Sequence, residues 1–265
     1  MSNSKYTRQT VLDIKSWVPG KLLSLRVTRD PHFNFEPGQF ARLGLPATPH
    51  AQTEPTIWRA YSMVNAPQQT PLEFYSIVVP DGEFSPRLAQ LQPGDAIYID
   101  KTPFGFLTLD RFSPGRDLWL IGTGTGLSAY LSLLQDSNTW VSFERIILVH
   151  GVRTENELAY RDLITEWVDT APSFGQADAP RARLSYLPIA TQQALPNSPQ
   201  ARLTTLLQDG RLETLAGVSL DPEHARVMLC GNPDMLSDAR KLLSQRGFAV
   251  GRRGNKGNLA LENYW

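Results

Sequence analysis

Residues 117–134 read DLWLIGTGTGLSAYLSLL, and their order decides the fold. The apolar run DLWLI has the length and composition of a buried strand. A glycine-rich turn follows, and beyond it Leu127, Tyr130, Leu131 and Leu134 recur at helical spacing. Strand, tight turn and helix form the local geometry in which backbone comes close to a pyrophosphate. GTGTG is neither the dinucleotide fingerprint GxGxxG nor a P-loop, since no Gly-Lys-Ser/Thr follows, so P-loop ATP chemistry is disfavoured. A nucleotide-binding turn and a purely structural one both fit the segment.

On the C-terminal side the runs RIILVHGV, RLSYLPIA and RVMLC alternate with helical patterns, which predicts a parallel sheet with crossover helices. Thr154 and Glu157 have capping-box spacing and predict a helix whose buried face carries Ala159, Tyr160, Leu163, Ile164 and Trp167. In GNPDMLSDARKLLSQRG, Asn232 suits the N-cap, Pro233 the first turn and Gly247 the stop. Met235, Ala239, Leu242 and Leu243 make its apolar stripe. On the N-terminal side RQTVLDIKSW, KLLSLRVT, GQFARLGL, TIWRAYSM, LEFYSIVV and DAIYID are closely spaced short strands, the pattern of an antiparallel sandwich or barrel. The polar DRFSPGR stretch marks the boundary, giving domains 1–110 and 111–265.

A chain of 265 residues is long enough for two domains. Its 26 basic and 26 acidic residues cancel, which gives no global reason to expect nucleic acid. The single cysteine, Cys230, closes no intrachain disulfide and is far short of the four thiolates of a 2Fe-2S cluster. His32, His50, His150 and His224 lack ligand spacing, so no metal site is expected. Redox chemistry would have to use an organic cofactor. No apolar run approaches a membrane span of about 18 residues and MSNSKYTRQT lacks the core of a signal peptide, so a cytoplasmic protein is expected. No Ser-His-Asp or paired-carboxylate set suggests a hydrolase.

On a strand through WRAYS, Arg59 and Tyr61 share a face, Trp58 and Ala60 the other. A guanidinium beside a flat ring suits a phosphate and a planar heterocycle, or simply an edge-strand stack. Ser85-Pro86 reads as a helix start, as capping or as a phosphate site. Cys230-Gly231 ends a predicted strand where open α/β sheets bind ligands, although a small buried residue also fits Cys230. The terminal Tyr264-Trp265 pair needs a burial site.

Taken in order, RAYS, DGEFSPRL, GTGTG, VHGVR, CGNPDM and the terminal Tyr-Trp resemble the bacterial ferredoxin/flavodoxin-NADP reductase family over almost the whole chain. The resemblance implies an N-terminal FAD-binding antiparallel β-barrel and a C-terminal NADP-binding α/β domain with a parallel sheet. It implies that Arg59 holds the FAD pyrophosphate, Tyr61 stacks on the isoalloxazine and Ser62 lies near the reactive N5. Ala60, Tyr75, Ser76, Ile77, Val78, Glu83, Phe84 and Ser85 would add flavin contacts. Thr125, Cys230 and Gly231 would border the nicotinamide, and Trp265 would cover the flavin face. Arg153 and Arg202 match two of the family's arginines for the 2′-phosphate of NADP. Thr191, in IATQQ, stands where a third is usual, which reduces the expected preference for NADP. The family's proline after the glycine turn is also missing, with Ala129 in its neighbourhood.

The implied activity is hydride transfer between NADPH and non-covalent FAD, with single electrons passed to a separate acidic ferredoxin or flavodoxin. The expected protein is a monomer, docking its carrier through Lys241, Arg246, Arg252, Arg253 and Lys256. A reductase component for an oxygenase and a flavin-binding electron-transfer subunit are the rival readings.

Overall fold

Alternation of β-branched and polar residues starts the first sheet at Tyr6–Val18 (β1), which pairs with Leu22–Val27 (β2). Phe40–Leu45 (β3), Ile57–Ser62 (β4), Leu72–Ile77 (β5) and, after the single turn Ser85–Leu88 (α1), Ala96–Asp100 (β6) complete it. The strands are antiparallel and ordered β4-β3-β6-β1-β2-β5. An isolated bridge between Met63 and Phe74 brings the two edges together, so the sheet is a nearly closed barrel. Val11, Leu25, Leu43, Phe74 and Ile97 fill it, and Phe84 and Leu88 of the α1 turn join the same cluster. The computed structural model describes residues 4–48, 54–170, 172, 182–251 and 255–263.

The second sheet opens at Asp117–Thr123 (β7). Leu127–Leu134 (α2), Ser137–Val141 (α3), Arg145–Val152 (β8), Arg161–Asp169 (α4) and Arg183–Ala190 (β9) follow. Leu203–Gln208 (α5), Arg211–Ala216 (α6), Ala225–Gly231 (β10), Pro233–Gln245 (α7) and Leu259–Asn263 (β11) complete it. All five strands are parallel, in the order β11-β10-β7-β8-β9. β7 shows why its run is apolar throughout. Leu118 and Leu120 face α2, while Trp119 and Ile121 face the cluster of α5, α6 and α7. The chain runs from β7 outward through β8 and β9, then returns to place β10 on the other side of β7. That reversal makes a crevice at the C-terminal ends of β7 and β10.

α7 follows its expected signals: the Asn232 carboxamide accepts from the N–H groups of Asp234 and Met235, and Gly247 takes φ +91° just past the end. The helix expected from Thr154 starts later. A 3-10 turn spans Glu155–Glu157, Tyr160 takes φ 61°, and α4 begins at Arg161. Ile164 and Trp167 are buried, whereas Leu163 is exposed.

Contacts between the sheets are specific. Ser132 Oγ donates to the Asn65 carbonyl at 2.9 Å, and Gln135 Nε2 to that of Val64 at 2.9 Å. Tyr160 donates to Glu73 Oε1 at 2.6 Å while its ring lies 4.6 Å from that of Trp17. Lys21 of the β1–β2 turn pairs with the buried carboxylate of Glu157.

Candidate functional site

A cavity of about 790 Å³ opens where the barrel meets the C-terminal ends of the parallel strands, a volume usual for a small-molecule site. Its barrel wall comes from β4, β5 and the turn leading into α1. Arg59, Ala60, Tyr61 and Ser62 line it with Tyr75, Ser76, Ile77, Val79, Gly82, Glu83, Phe84 and Ser85. Arg59 donates from Nη1 to the Trp58 carbonyl at 2.8 Å, and its Nη2 stands 3.7 Å from Glu83 Oε2 in an exposed, weak pair. The Tyr61 ring lies 5.7 Å from that of Phe84 and its hydroxyl accepts from Ser76 Oγ at 3.3 Å. Burial pushes the Tyr61 phenol up, so the ring is neutral. Ser85 caps nothing: its Oγ accepts from the Val79 N–H at 2.9 Å and closes the turn.

Tyr75 marks this wall. Its hydroxyl is buried and has no hydrogen-bond partner among the described residues, a state that costs about 1 to 3 kcal/mol. Burial first, then the charge of Glu157, raises its pKa, so the group is a neutral O–H. An unsatisfied donor on a cavity wall fits a ligand that brings a polar atom.

The parallel-sheet wall comes from the C-terminal ends of the strands and the turns beyond them. Thr123, Gly124 and Thr125 line it at the end of β7, Gly151–Arg153 at the end of β8, Thr191 and Gln192 after β9, Arg202 before α5, and Gly231 and Asn232 at the end of β10. The turns after β7 and β10 interlock. A Cβ on Gly126 would lie 2.6 Å from the Cys230 carbonyl oxygen, and the Asn232 N–H donates to Thr123 Oγ1 at 2.9 Å. Behind them, Tyr130 sets its hydroxyl 2.9 Å from the carbonyls of both Ile121 and Met228. His150, fully buried, has Nε2 3.2 Å from the Gly124 carbonyl and Nδ1 3.4 Å from the Tyr186 hydroxyl. Burial lowers its pKa to about 4, so the imidazole is neutral and donates to Gly124.

Most residues singled out from sequence meet in this one cavity; among the described residues Val78 and Cys230 do not. Val78 lies off the wall: its N–H serves the Lys21 carbonyl at 2.8 Å, its side chain packs on the barrel core, and Val79 takes the cavity position. Cys230 is fully buried with Met228 and Tyr130 on the α2 side of β10, and leaves the wall to Gly231. Trp265 lies outside the described residues, as do Tyr264, Arg252 and Arg253. Arg246 is engaged with Glu213 at 2.8 Å and the Leu207 carbonyl at 2.6 Å, which removes it from the expected basic patch. Sequence reasoning missed Lys21, Glu157, His150, Asp234 and Asp238. Only the cap pattern around Asn232 pointed near the last two. The metal-type cluster Asp221, Glu223 and His224 sits before β10, at the end of the sheet away from the cavity.

Residues 120–241 match the oxidoreductase NAD-binding domain family, which puts the parallel sheet and its switch-point crevice among the pyridine-nucleotide oxidoreductases. The whole chain is 39% identical over 258 residues to ferredoxin–NADP reductase A of Sorangium cellulosum, covering 97% of this chain and 89% of that one. It is 33% identical to the flavodoxin/ferredoxin–NADP reductase of Escherichia coli, covering 94% and 99%. A crystal structure of a ferredoxin NADP+ reductase from Neisseria gonorrhoeae with bound FAD and NADP superposes with TM-score 0.88 at 31% identity, covering 99% of this chain and 100% of that one. The chain belongs to the ferredoxin/flavodoxin–NADP reductase family. No helix among the described residues is long and apolar enough to cross a membrane.

Proposed function

We propose that this protein oxidises NADPH and delivers the electrons singly to a ferredoxin or flavodoxin, using FAD held on the barrel wall of the cavity. The observation that carries this reading is the continuity of the cavity: one space is walled by the Arg59–Tyr61 strand on one side and by the switch-point turns on the other. Bound FAD takes up the two electrons of a hydride and releases them one at a time. The donor set fits it through the Arg59 guanidinium, the neutral Tyr61 ring and the unsatisfied Tyr75 hydroxyl.

Arg59 neutralises the pyrophosphate, exchanging its weak pair with Glu83 for a charge-assisted hydrogen bond. Tyr61, kept neutral and braced by Phe84 and Ser76, offers its ring face to the isoalloxazine. Ser62 at the end of β4, with Thr125 and Gly231 on the facing turns, is assigned to the place where nicotinamide and flavin meet. Arg153 and Arg202, both exposed on the cavity rim, are assigned to the 2′-phosphate, with Thr191 between them in sequence. The Thr191 hydroxyl donates to the Val152 carbonyl at 3.3 Å, so it replaces a phosphate-binding cation with a backbone brace. The boundary is taken at residue 110, with 1–110 the flavin domain and 111–265 the nucleotide domain.

The carrier docks, on this reading, by charge. Lys241 and Lys256 are exposed on and after α7. Mixing the FAD-loaded protein with NADPH and a purified ferredoxin or flavodoxin tests the whole sequence of transfers. The carrier should be reduced, more slowly as salt screens charges over about 10 Å. NADPH oxidation that reduces a small dye but neither carrier would refute the reading.

A further inference from the structure

We propose that Glu157 is a positioning residue that fixes how Arg153 presents its guanidinium to the 2′-phosphate, and so sets the discrimination between phosphorylated and unphosphorylated nucleotide. The inference rests on the assignment of Arg153 made above.

In a capping box the carboxylate of Glu157 would return to the N–H of Thr154. It reaches one residue further. Glu157 Oε2 accepts from the Arg153 N–H at 3.1 Å, and the Arg153 carbonyl accepts from the Gln192 N–H at 2.8 Å. The backbone of Arg153 is therefore held on both sides while its side chain remains exposed at the cavity rim. Any backbone carbonyl could satisfy one N–H at less cost than a buried carboxylate, because a buried charge must be paired. The pairing comes from the other sheet: Lys21, in the β1–β2 turn, meets the second oxygen of Glu157. Lys21 and Glu157 both line the cavity, between the wall assigned to flavin and the strand end that carries Arg153. The ion pair thus ties the register of the arginine to the barrel rather than to its own loop alone. With its backbone fixed, the arginine loses less freedom on meeting a phosphate, and the gain goes only to a ligand that has one.

The test is calorimetric binding of 2′,5′-ADP and of 5′-AMP to the flavin-loaded protein. Glu157→Ala should weaken 2′,5′-ADP about tenfold and 5′-AMP less than about twofold, the first being the scale of a charge-assisted contact held out of place. Glu157→Gln keeps an oxygen for the Arg153 N–H and should remain within about threefold of the unaltered protein. If Glu157→Ala does not fold, Lys21→Met carries the test, with a loss confined to 2′,5′-ADP. Equal weakening of both ligands, or of neither, by Glu157→Ala and Lys21→Met would overturn the proposal while Arg153→Ala still loses 2′,5′-ADP. Arg153→Ala that binds 2′,5′-ADP normally would instead take down the assignment beneath it.

Discussion

On the barrel wall of the cavity, side chains face the ligand space and are steadied by other side chains: Tyr61 by Phe84 and Ser76, Arg59 by Glu83. On the parallel-sheet wall the turns after β7 and β10 are pressed together and backed by the fully buried Tyr130 and His150. The first wall can lose a recognition group and keep its fold. The interlocked turns of the second cannot change without disturbing the core behind them, whereas Arg153 and Arg202 at its rim are exposed. Recognition and stability are therefore separable on the barrel side of the cavity and coupled at the interlocked turns of the other.

Glycine substitutions test the coupled wall hardest. A Cβ at Gly126 would lie 2.6, 2.7 and 2.9 Å from backbone atoms of Cys230 and Gly231, so Gly126→Ala must force two strand ends apart. It should destabilise by at least about 3 kcal/mol in denaturant titration. Gly124, two residues earlier at φ +54°, has open space at its Cβ position. Gly124→Ala should therefore cost only about 1 kcal/mol, the strain of a left-handed alanine. Similar losses at the two positions would show that the turn yields and that the wall is not rigid.

The next effect in size belongs to His150. Its folded pKa of about 4 lies below the imidazole value of 6.5, so between these two the unfolded chain binds a proton that the folded one refuses. Its contribution to stability is complete above about pH 6.5 and falls as pH drops toward 4, by up to about 3 kcal/mol. His150→Gln should flatten that part of the stability profile relative to the unaltered protein. Matching profiles would mean that His150 titrates as an exposed histidine.

The separable wall predicts the opposite pattern. Arg59→Ala should weaken FAD by about 1.5 to 3 kcal/mol while the flavin-free protein keeps its melting temperature. A large fall in the stability of the flavin-free protein would erase the contrast between the walls.

How much of this was legible in sequence depended on whether an environment had two sides. The change from closely spaced strands to alternating strands and helices, and the strand-turn-helix at 117–134, were readable, because strand and helix periods differ and the turn residues punctuate them. The N-terminal strands were readable, but the contact of Met63 with Phe74 that nearly closes the barrel is a long-range register no local pattern encodes. The face on which Cys230 sits was not readable, because β10 is buried on both faces and its sequence has no polar alternation to say which way a side chain points. Thr154 and Glu157 fitted a capping box, yet Lys21 and the Arg153 N–H are partners that the spacing could not show. Val78 lies one position off the wall, its N–H committed to the Lys21 carbonyl, a long-range partner that no local pattern shows.

The claim that both walls serve one reaction is tested most directly by anaerobic titration of the FAD-loaded protein with NADPH, followed by flavin absorbance. The account predicts one FAD per chain, bleached by one equivalent of NADPH. Chains that take up no FAD, or bound FAD whose absorbance NADPH leaves unchanged, would contradict it.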